Sequence, residues 1–233
     1  MQKARHQNIL HRSSFFVTGT DTEVGKTFVS GALACAAEQR GLEWHYFKPA
    51  ESGARGADAD SGRVAAWTQR PARVSVGYQL DTPLAPWFAS EEDQQPLSVQ
   101  RLDDLIGQHR DCQPLIVEGA GGILTPYTPV TTALDLAVRW QLPTVIVVAN
   151  RLGCLNHTLL TIHALTHAGI EIAGVIFNDT GFPAGLSHSR NPADFLRLSA
   201  TPLLAWLPYL GEGGAPSAQW WEEGVARAND LMQ

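Results

Sequence analysis

Short apolar stretches rich in β-branched and aromatic residues alternate along this chain with longer amphipathic stretches. The clearest apolar stretches are Leu115–Gly119, Thr144–Asn150 and Ile172–Asn178, which are hydrophobic at nearly every position. Such continuous hydrophobicity is typical of strands buried on both faces of a parallel sheet. The same pattern predicts three shorter strands, at Phe15–Gly19, Trp44–Pro49 and Leu203–Pro208.

Helices are predicted between these strands. Lys26–Arg40 carries small and apolar side chains at helical spacing, and Gly41 follows it as a C-cap would. Further helices are predicted at Asp60–Gln69, Val99–His109, Thr132–Trp140, Asn156–Ala168 and Ala218–Leu231. We interpret Gly77–Gln95 and Gly211–Gly214 as surface loops, and Gly181–Pro192 carries no usable pattern. Alternating strands and helices predict an α/β fold with a mostly parallel sheet.

The 233 residues suit one domain of this kind, which we expect to span residues 13–233. Residues 1–12 are basic but lack the apolar stretch of a signal peptide. A flexible N-terminal tail is therefore favoured over a mitochondrial-type leader.

Composition narrows the functional classes. A net charge of −6 and a pI of about 5.7 argue against bulk nucleic-acid binding. Apolar runs stay well short of the ~20 residues that span a bilayer, so a membrane protein is not expected. The three cysteines, Cys35, Cys112 and Cys154, lie far apart and show neither a disulfide framework nor zinc-site spacing. This cysteine usage favours a reduced, cytoplasmic compartment.

Unusual polar residues stand where the predicted strands end. Lys48, Glu118, Asn150 and Asn178 each close an apolar stretch. Ligands of open parallel sheets bind at the carboxyl ends of the strands. These side chains therefore predict a binding site at that edge of the sheet.

The segment Gly19–Thr27, with sequence GTDTEVGKT, follows a strand and opens a helix, as a phosphate-binding loop must. Backbone N–H groups there converge on phosphate oxygens, and the helix dipole favours negative charge. Lys26 would reach the β- and γ-phosphates, and the Thr27 hydroxyl would bind Mg²⁺. Glu23 is unusual in such a loop, so we expect it to meet Lys48, a substrate amine or solvent.

Carboxylates at other strand ends complete the metal shell of such enzymes. Glu118 is placed for this role, and Gly119–Gly122 behind it allow close approach of a ligand. Asp58 or Asp60 offers a second carboxylate. Lys48, fixed by Pro49, can neutralise charge that develops during phosphoryl transfer. Ser52 can hydrogen-bond a substrate.

Five segments in this order resemble the dethiobiotin synthetase family over roughly residues 14–210. They are GTDTEVGKT (19–27), YFKPAESG (46–53), VEGAGG (117–122), LGCLNH (152–157) and FND (177–179). The first and third together are highly specific, whereas FND alone would be weak. The resemblance implies a P-loop NTPase-type, three-layer α/β/α domain with about seven mostly parallel strands, working as a homodimer.

The resemblance also implies an ATP-dependent cyclo-ligase that requires Mg²⁺. In that reaction CO2 adds to one amine of 7,8-diaminopelargonate, ATP phosphorylates the resulting carbamate, and the second amine closes the ureido ring of dethiobiotin. The implied catalytic residues are Lys26 and Lys48, and the implied metal ligands are Thr27, Asp60 and Glu118.

The resemblance assigns the remaining site residues to nucleotide and substrate. The implied nucleotide-binding residues are Glu23, Val24, Gly25, Lys26, Thr27, Asp60, Glu118, Gly119, Ala120, Gly121, Asn178, Asp179, Pro208, Tyr209, Leu210 and Glu212. The implied substrate-binding residues are Thr22, Ser52, Gly153, Cys154, Leu155 and Asn156. In the family, the helix start after Gly153 holds the substrate carboxylate from the neighbouring subunit, as a positive helix end would.

Three other functions remain as alternatives. A paralogous P-loop ligase with another small substrate would keep the same ATP motifs. A partition-type switch ATPase is disfavoured because that class carries a lysine and two glycines where this chain has Asp21, Thr22 and Glu23. A cobyrinate-type amidoligase is disfavoured because no cysteine here lies in a turn typical of a nucleophile.

Overall fold

A single seven-stranded parallel sheet organises the molecule. The computed structural model describes residues 14–181, 185–211 and 213–232, so the whole of the predicted tail lies outside the described residues. The sheet order is β3-β2-β4-β1-β7-β8-β9, and every neighbouring pair is parallel. Its strands are β1 (Ser14–Gly19), β2 (His45–Ser52), β3 (Val74–Leu80), β4 (Leu115–Gly122), β7 (Thr144–Ala149), β8 (Ile172–Asn178) and β9 (Leu203–Leu207). A small antiparallel pair joins β5 (Pro126–Thr128) to β6 (Thr131–Thr132).

Eight helices cover the two faces of the sheet in the described residues. They are α1 (Lys26–Gln39), α2 (Asp60–Thr68), α3 (Pro86–Glu92), α4 (Val99–Gly107), α5 (Ala133–Trp140), α6 (Cys154–His167), α7 (Leu186–Leu198) and α8 (Ala218–Asp230). Helices α1 and α2 contribute to the core on one face, and α4, α5, α6 and α7 to the core on the other. The result is the three-layer α/β/α arrangement expected from the sequence.

The central strands bury side chains on both faces, which explains their continuous hydrophobicity. In β1, Phe16 belongs to the core on one face, whereas Phe15 and Val17 belong to the core on the other. In β7, Ile146 and Val147 likewise point into opposite cores. An alternating strand pattern would have left one face of this sheet to solvent.

One sequence prediction is wrong, and one segment without a usable sequence pattern contains part of a helix. Gly77–Gln95 is not a surface loop, because it contains most of β3 and all of α3. As the edge strand, β3 is only half-buried along much of its length, so polar residues interrupt its hydrophobic pattern. Gly181–Pro192 contains the start of α7, where Pro192 lies within the helix. Pro192 has no N–H to donate to the carbonyl of His188, four residues earlier in the chain. That carbonyl accepts a hydrogen bond from Asn150 Nδ2 at 2.9 Å instead.

Strand lengths also differ from prediction at the functional edge. β2 continues to Ser52 and β4 to Gly122, so Lys48 and Glu118 lie within strands rather than at their ends. The chain leaves β1 towards β2 and later returns on the other side of β1 to form β7. This reversal opens a crevice at the carboxyl end of β1, where α/β sheets bind their ligands. Among the described residues, no helix has the length and apolar character needed to cross a membrane.

Candidate active site

The loop after β1 turns sharply into α1 and presents the helix start to the crevice. Gly25 precedes the first helical residue with φ 95°, and no side chain caps this end. The first N–H groups of a helix lack partners within the helix, so they are available to an anion. A methyl group at position 25 would overlap the Asn178 amide nitrogen, which donates to Val24 O at 3.1 Å. The loop therefore requires glycine both for its backbone and for its contact with β8.

Four side chains from different elements meet beside this loop. Lys48 Nζ lies 2.7 Å from both Asp60 Oδ2 and Glu118 Oε1. The Thr27 hydroxyl lies 2.7 Å from Asp60 Oδ1 and 3.0 Å from Glu118 Oε1. Of the two carboxylates that the sequence left open, Asp60 thus joins this group, whereas Asp58 lies exposed in a short 3₁₀ turn. We refer to Thr27, Lys48, Asp60 and Glu118 as the carboxylate cluster.

The carboxylate cluster keeps its lysine charged. Burial opposes the charge on Lys48, but Glu118 and Asp60 outweigh it and raise the lysine's pKa above its ordinary value. Burial likewise opposes ionisation of Asp60, yet Lys48 and the hydrogen bond from Thr27 hold its pKa below the usual range. Lys48 is therefore a fixed, dry cation at neutral pH.

Lys26 loses its proton more readily than Lys48. Its Nζ donates to Asp21 O at 3.0 Å, within the loop. Burial, followed by repulsion from Lys48, lowers its pKa from 10.5 to about 8, although Glu118 and Asp60 act in the opposite direction. An anion bound at the helix start would raise the pKa of Lys26 again, because it favours the charged form.

Two supporting residues were missed by the sequence analysis. Tyr46 is fully buried, and its hydroxyl donates to Glu118 Oε2 at 3.1 Å. It could have been found because it stands two residues before Lys48 and therefore on the same face of β2. Tyr127 accepts a hydrogen bond from Ala120 N–H at 3.0 Å and so fixes the glycine-rich end of β4.

Two pockets meet at the loop. The charged pocket, about 430 Å³, is lined by the loop, β2, the start of α2 and the end of β4. Its lining residues include Thr22, Glu23, Gly25, Lys26, Thr27, Lys48, Ser52, Asp58, Asp60, Ala120 and Gly121. The apolar pocket, about 200 Å³, is lined by Glu23, Gly25, Phe28, Asn178, Asp179, Thr180, Pro208, Tyr209, Leu210, Gly211 and Trp220. Residues predicted for phosphate and for base therefore line separate, adjoining cavities.

Asp179 lies at the apolar pocket, but its carboxylate is already occupied. Oδ1 accepts from Asn150 Nδ2 at 2.9 Å and from Trp206 Nε1 at 2.8 Å. His188 Nε2 lies 3.0 Å from the same oxygen, and Arg227 Nη2 lies 3.3 Å from Oδ2. Asp179 therefore links β8 to neighbouring segments of the fold. Asn178, which also lines the apolar pocket, is better placed to hydrogen-bond a ligand.

Comparison with known proteins identifies the family. Residues 13–217 match a family model described as an AAA domain. The chain is 39% identical to the ATP-dependent dethiobiotin synthetase BioD of Novosphingobium aromaticivorans, over 91% of this chain and 96% of that protein. It is 39% identical to the protein of that name from Anaeromyxobacter sp. strain K (83% and 89% covered) and 35% identical to BioD 1 of Escherichia coli K12 (85% and 91% covered). The chain belongs to the dethiobiotin synthetase family.

Solved structures agree at the level of the fold. The cell division ATPase MinD of Pyrococcus furiosus superimposes with a TM-score of 0.58 at 14% identity, covering 95% of this chain and all of that one. The MinC:MinD complex of Aquifex aeolicus gives 0.58 at 11% identity, with 94% and 96% covered. At this identity the likeness confirms the P-loop type of fold alone.

The remaining residues implied by the dethiobiotin synthetase family are spread more widely. Gly153 caps α6 with φ 90°, and Cys154, Leu155 and Asn156 form its first turn, so α6 starts two residues before the predicted helix. This end lines neither of the two pockets. Glu23 is exposed at the mouth shared by both pockets, whereas the carboxylates that contact Lys48 are Asp60 and Glu118.

Three further residues that the family resemblance implies are Val24, Ser52 and Glu212. Val24 is buried beneath the loop. Ser52 donates its hydroxyl to Leu84 O at 2.8 Å. Glu212 lies outside the described residues.

Proposed function

We propose that this protein is an ATP-dependent dethiobiotin synthetase, which builds the ureido ring of dethiobiotin from 7,8-diaminopelargonate and CO2. The observation that carries the proposal is the 39% identity, over 91% of the chain, to a protein of that name. The two adjoining pockets support it, because one offers lysines beside an anion-binding helix start and the other offers an apolar wall for a nucleotide base.

The reaction balances in three steps. One amine of the substrate attacks CO2 and loses a proton, which forms a carbamate. A carbamate oxygen attacks the γ-phosphorus of ATP, and the bond to ADP breaks. The second amine attacks the carbonyl carbon of this mixed anhydride, loses a proton and expels phosphate. The products are dethiobiotin, ADP and phosphate.

The chain's own residues serve this reaction by orientation and charge. Lys26, at the start of α1, binds the β- and γ-phosphates. Lys48 is held by Asp60 and Glu118 and faces the same pocket, so it offsets charge on the carbamate and on the transferring phosphoryl group. Preorganised charges of this kind need no reorganisation when the barrier is crossed. Thr22 and Ser52 line the same pocket, where they contact the carbamate end of the substrate.

Magnesium fits the carboxylate cluster by its donor chemistry. Thr27, Asp60 and Glu118 supply one hydroxyl and two carboxylates. The hydroxyl oxygen lies within 3.0 Å of an oxygen of each carboxylate. Mg²⁺ prefers such hard oxygen ligands. These three residues would hold the ion. When bound, it supplies positive charge to the phosphate oxygens.

We further propose that the enzyme is a cytoplasmic homodimer. Gly153 and Asn156 at the start of α6 are exposed and lie outside both pockets, and Leu152 beside them is 84% exposed. A second subunit would cover this apolar residue and bring the Gly153–Asn156 helix start to the partner's substrate.

The first test of the proposed function measures phosphate release from Mg–ATP in bicarbonate buffer, with and without 7,8-diaminopelargonate, alongside mass spectrometry of the product. We expect phosphate release that depends on the diamine and that matches dethiobiotin one to one. Phosphate release that ignores the diamine would favour a switch ATPase. ATP binding without turnover would favour a paralogue with another substrate.

Asn178→Ala is expected to weaken ATP binding about tenfold and to relax the preference for adenine over cytosine. The amide both lines the apolar pocket and tethers the phosphate loop through Val24 O. Loss of one hydrogen bond of this kind corresponds to about 1.4 kcal/mol. Steady-state KM values for ATP and CTP measure the effect, and an unchanged ATP/CTP ratio would contradict a role in base recognition.

Asn156→Ala is expected to raise KM for 7,8-diaminopelargonate about tenfold while KM for ATP stays unchanged. The side chain is exposed in the first turn of α6, and the positive end of a helix dipole favours a bound anion. His163→Ala, at a position further along the same helix, is the matched control. Equal changes in both KM values would argue against a substrate-carboxylate site at this helix start.

The pKa of Lys26 predicts how ATP affinity varies with pH. Below about pH 8 the free protein carries the Lys26 charge, and above that pH it must take up a proton in order to bind phosphate. The terminal phosphate, with a pKa of about 6, is already ionised there. We therefore expect the affinity for ATP to be constant near neutral pH and to fall with rising pH above about 8. Calorimetric titrations across this range test it, and the slope must vanish in Lys26→Met.

A further inference from the structure

A cluster of two histidines and a cysteine lies at the end of the sheet opposite the phosphate loop. His45 is the first residue of β2, and His109 and Cys112 lie in the connection from α4 to β4. The ligand atoms that these three side chains offer all lie within 4.8 Å of one another. The proposed reaction uses none of these residues.

The backbone brings the three residues together. Cys112 N–H donates to His109 O at 3.0 Å, which closes a turn between the two. The same connection is fastened to the start of β2 by two hydrogen bonds, from Gln113 N–H to Glu43 O at 2.8 Å and from His45 N–H to Pro114 O at 3.0 Å. The cluster therefore follows from main-chain geometry rather than from chance contact of long side chains.

The side chains are already close to a shared centre. The His45 and His109 rings are stacked, with centroids 3.6 Å apart. Ser75 Oγ on β3 lies 2.8 Å from His45 Nε2 and 3.4 Å from His109 Nε2. His45 is buried, whereas His109 and Cys112 are half-buried, so the cluster can be reached from solvent.

We propose that His45, His109 and Cys112 bind a zinc-class divalent cation. Two imidazoles and a thiolate are ligands that favour Zn²⁺ over Mg²⁺. Tetrahedral zinc holds such ligand atoms roughly 3.3–3.8 Å apart, so ligand atoms that lie within 4.8 Å of one another need to move closer by at most about 1.5 Å. The two half-exposed side chains can make this adjustment. Binding displaces the Cys112 thiol proton to solvent, and water takes the fourth position.

The charges around the cluster suit a cation. Glu43, Asp111 and Arg73 all interact electrostatically with Cys112, and their charges of −1, −1 and +1 sum to −1. Arg73 is itself paired with Glu43 at 2.9 Å. A dication bound here would join β2 to the α4–β4 connection and stabilise the fold without contacting the charged pocket.

Cobalt titration of the full-length, reduced protein tests this site, in the presence of excess Mg²⁺ to occupy the oxygen ligands of the carboxylate cluster. We expect one equivalent of Co²⁺ to produce sulfur-to-cobalt charge-transfer absorption, which Zn²⁺ abolishes. Zinc at about a hundredfold above its Kd should raise Tm by about 5–10 °C. Turnover of ATP should stay unchanged.

Matched variants assign the signal to these residues. Cys112→Ser should abolish the charge-transfer absorption, whereas Cys35→Ser, which alters another half-buried cysteine, should retain it. His109→Asn should weaken Co²⁺ binding at least tenfold, whereas neither His163→Asn nor the double change His6→Asn with His11→Asn should affect it. Absence of the absorption in the wild type, or its persistence in Cys112→Ser, would overturn the proposal.

Discussion

Lys26→Met is expected to lower kcat by about 10³-fold and to leave the protein at least as stable as the wild type. Activity falls because a preorganised cation at the transferring phosphoryl group is lost. Stability does not fall, because burial lowers the pKa of Lys26 from 10.5 to about 8. At neutral pH the lysine is charged in both the folded and unfolded states, and that charge costs the folded state about 3 kcal/mol.

Two measurements on Lys26→Met check this expectation. Single-turnover kinetics with saturating diamine give the loss in rate, and thermal unfolding without nucleotide gives the change in stability. A variant with both low activity and a clearly lower Tm would mean that Lys26 supports the fold, and would contradict its proposed role as a phosphate-binding residue held at a cost in stability.

Lys48→Met is expected to lose both activity and stability. The substitution leaves Asp60 and Glu118 facing each other without the cation that now lies 2.7 Å from each. Glu118 is completely buried, and removal of one partner from a buried ion pair destabilises by about 3–5 kcal/mol. We expect kcat to fall at least 10²-fold and Tm to fall by about 10 °C.

Magnesium provides the internal control for Lys48→Met. A divalent cation between the two carboxylates should restore part of the lost stability, so MgCl2 should raise the Tm of Lys48→Met more than that of the wild type. Asp60→Asn with Lys48→Met removes one of the two carboxylates and should reduce this response. A Tm for Lys48→Met that matches the wild type in the absence of Mg²⁺ would show that the pair does not stabilise the fold.

The opposite expectations for the two lysines follow from their neighbours. Lys26 reaches a carbonyl oxygen, whereas Lys48 contacts two carboxylates. From the sequence, both residues are predicted only to be lysines close to the phosphate groups. Only the packed structure distinguishes a lysine whose charge is destabilised by burial from a lysine whose charge is balanced by neighbouring carboxylates.

Local sequence patterns predicted the central part of the fold well. Strands β1, β4, β7 and β8 are buried on both faces, so their apolar runs are unmistakable. The edge strand β3 was missed because it is only half-buried, and α7 was missed because Pro192 interrupts its pattern. Solvent exposure at the margin of a sheet weakens the signal on which such predictions depend.

Contacts between distant segments were predicted less completely. The phosphate loop and Glu118 could be named because each stands in a distinctive short motif. Asp58 and Asp60 could not be separated, because the choice depends on where α2 begins and which of the two carboxylates its start places beside Thr27. Cys112 was set aside for lack of a neighbouring cysteine, yet its companions are His45 and His109, which only the fold brings close.

The order of the pocket residues along the chain has a consequence for biosynthesis. The residues that line the charged pocket fall within 22–121, whereas the apolar pocket also needs residues 208–220. The carboxylate of Asp179 gains its last partner, Arg227, only from α8. During synthesis on the ribosome, all the side chains that line the charged pocket therefore emerge before the C-terminal wall of the apolar pocket exists. A nascent chain carries its phosphate-binding residues well before it can enclose a base.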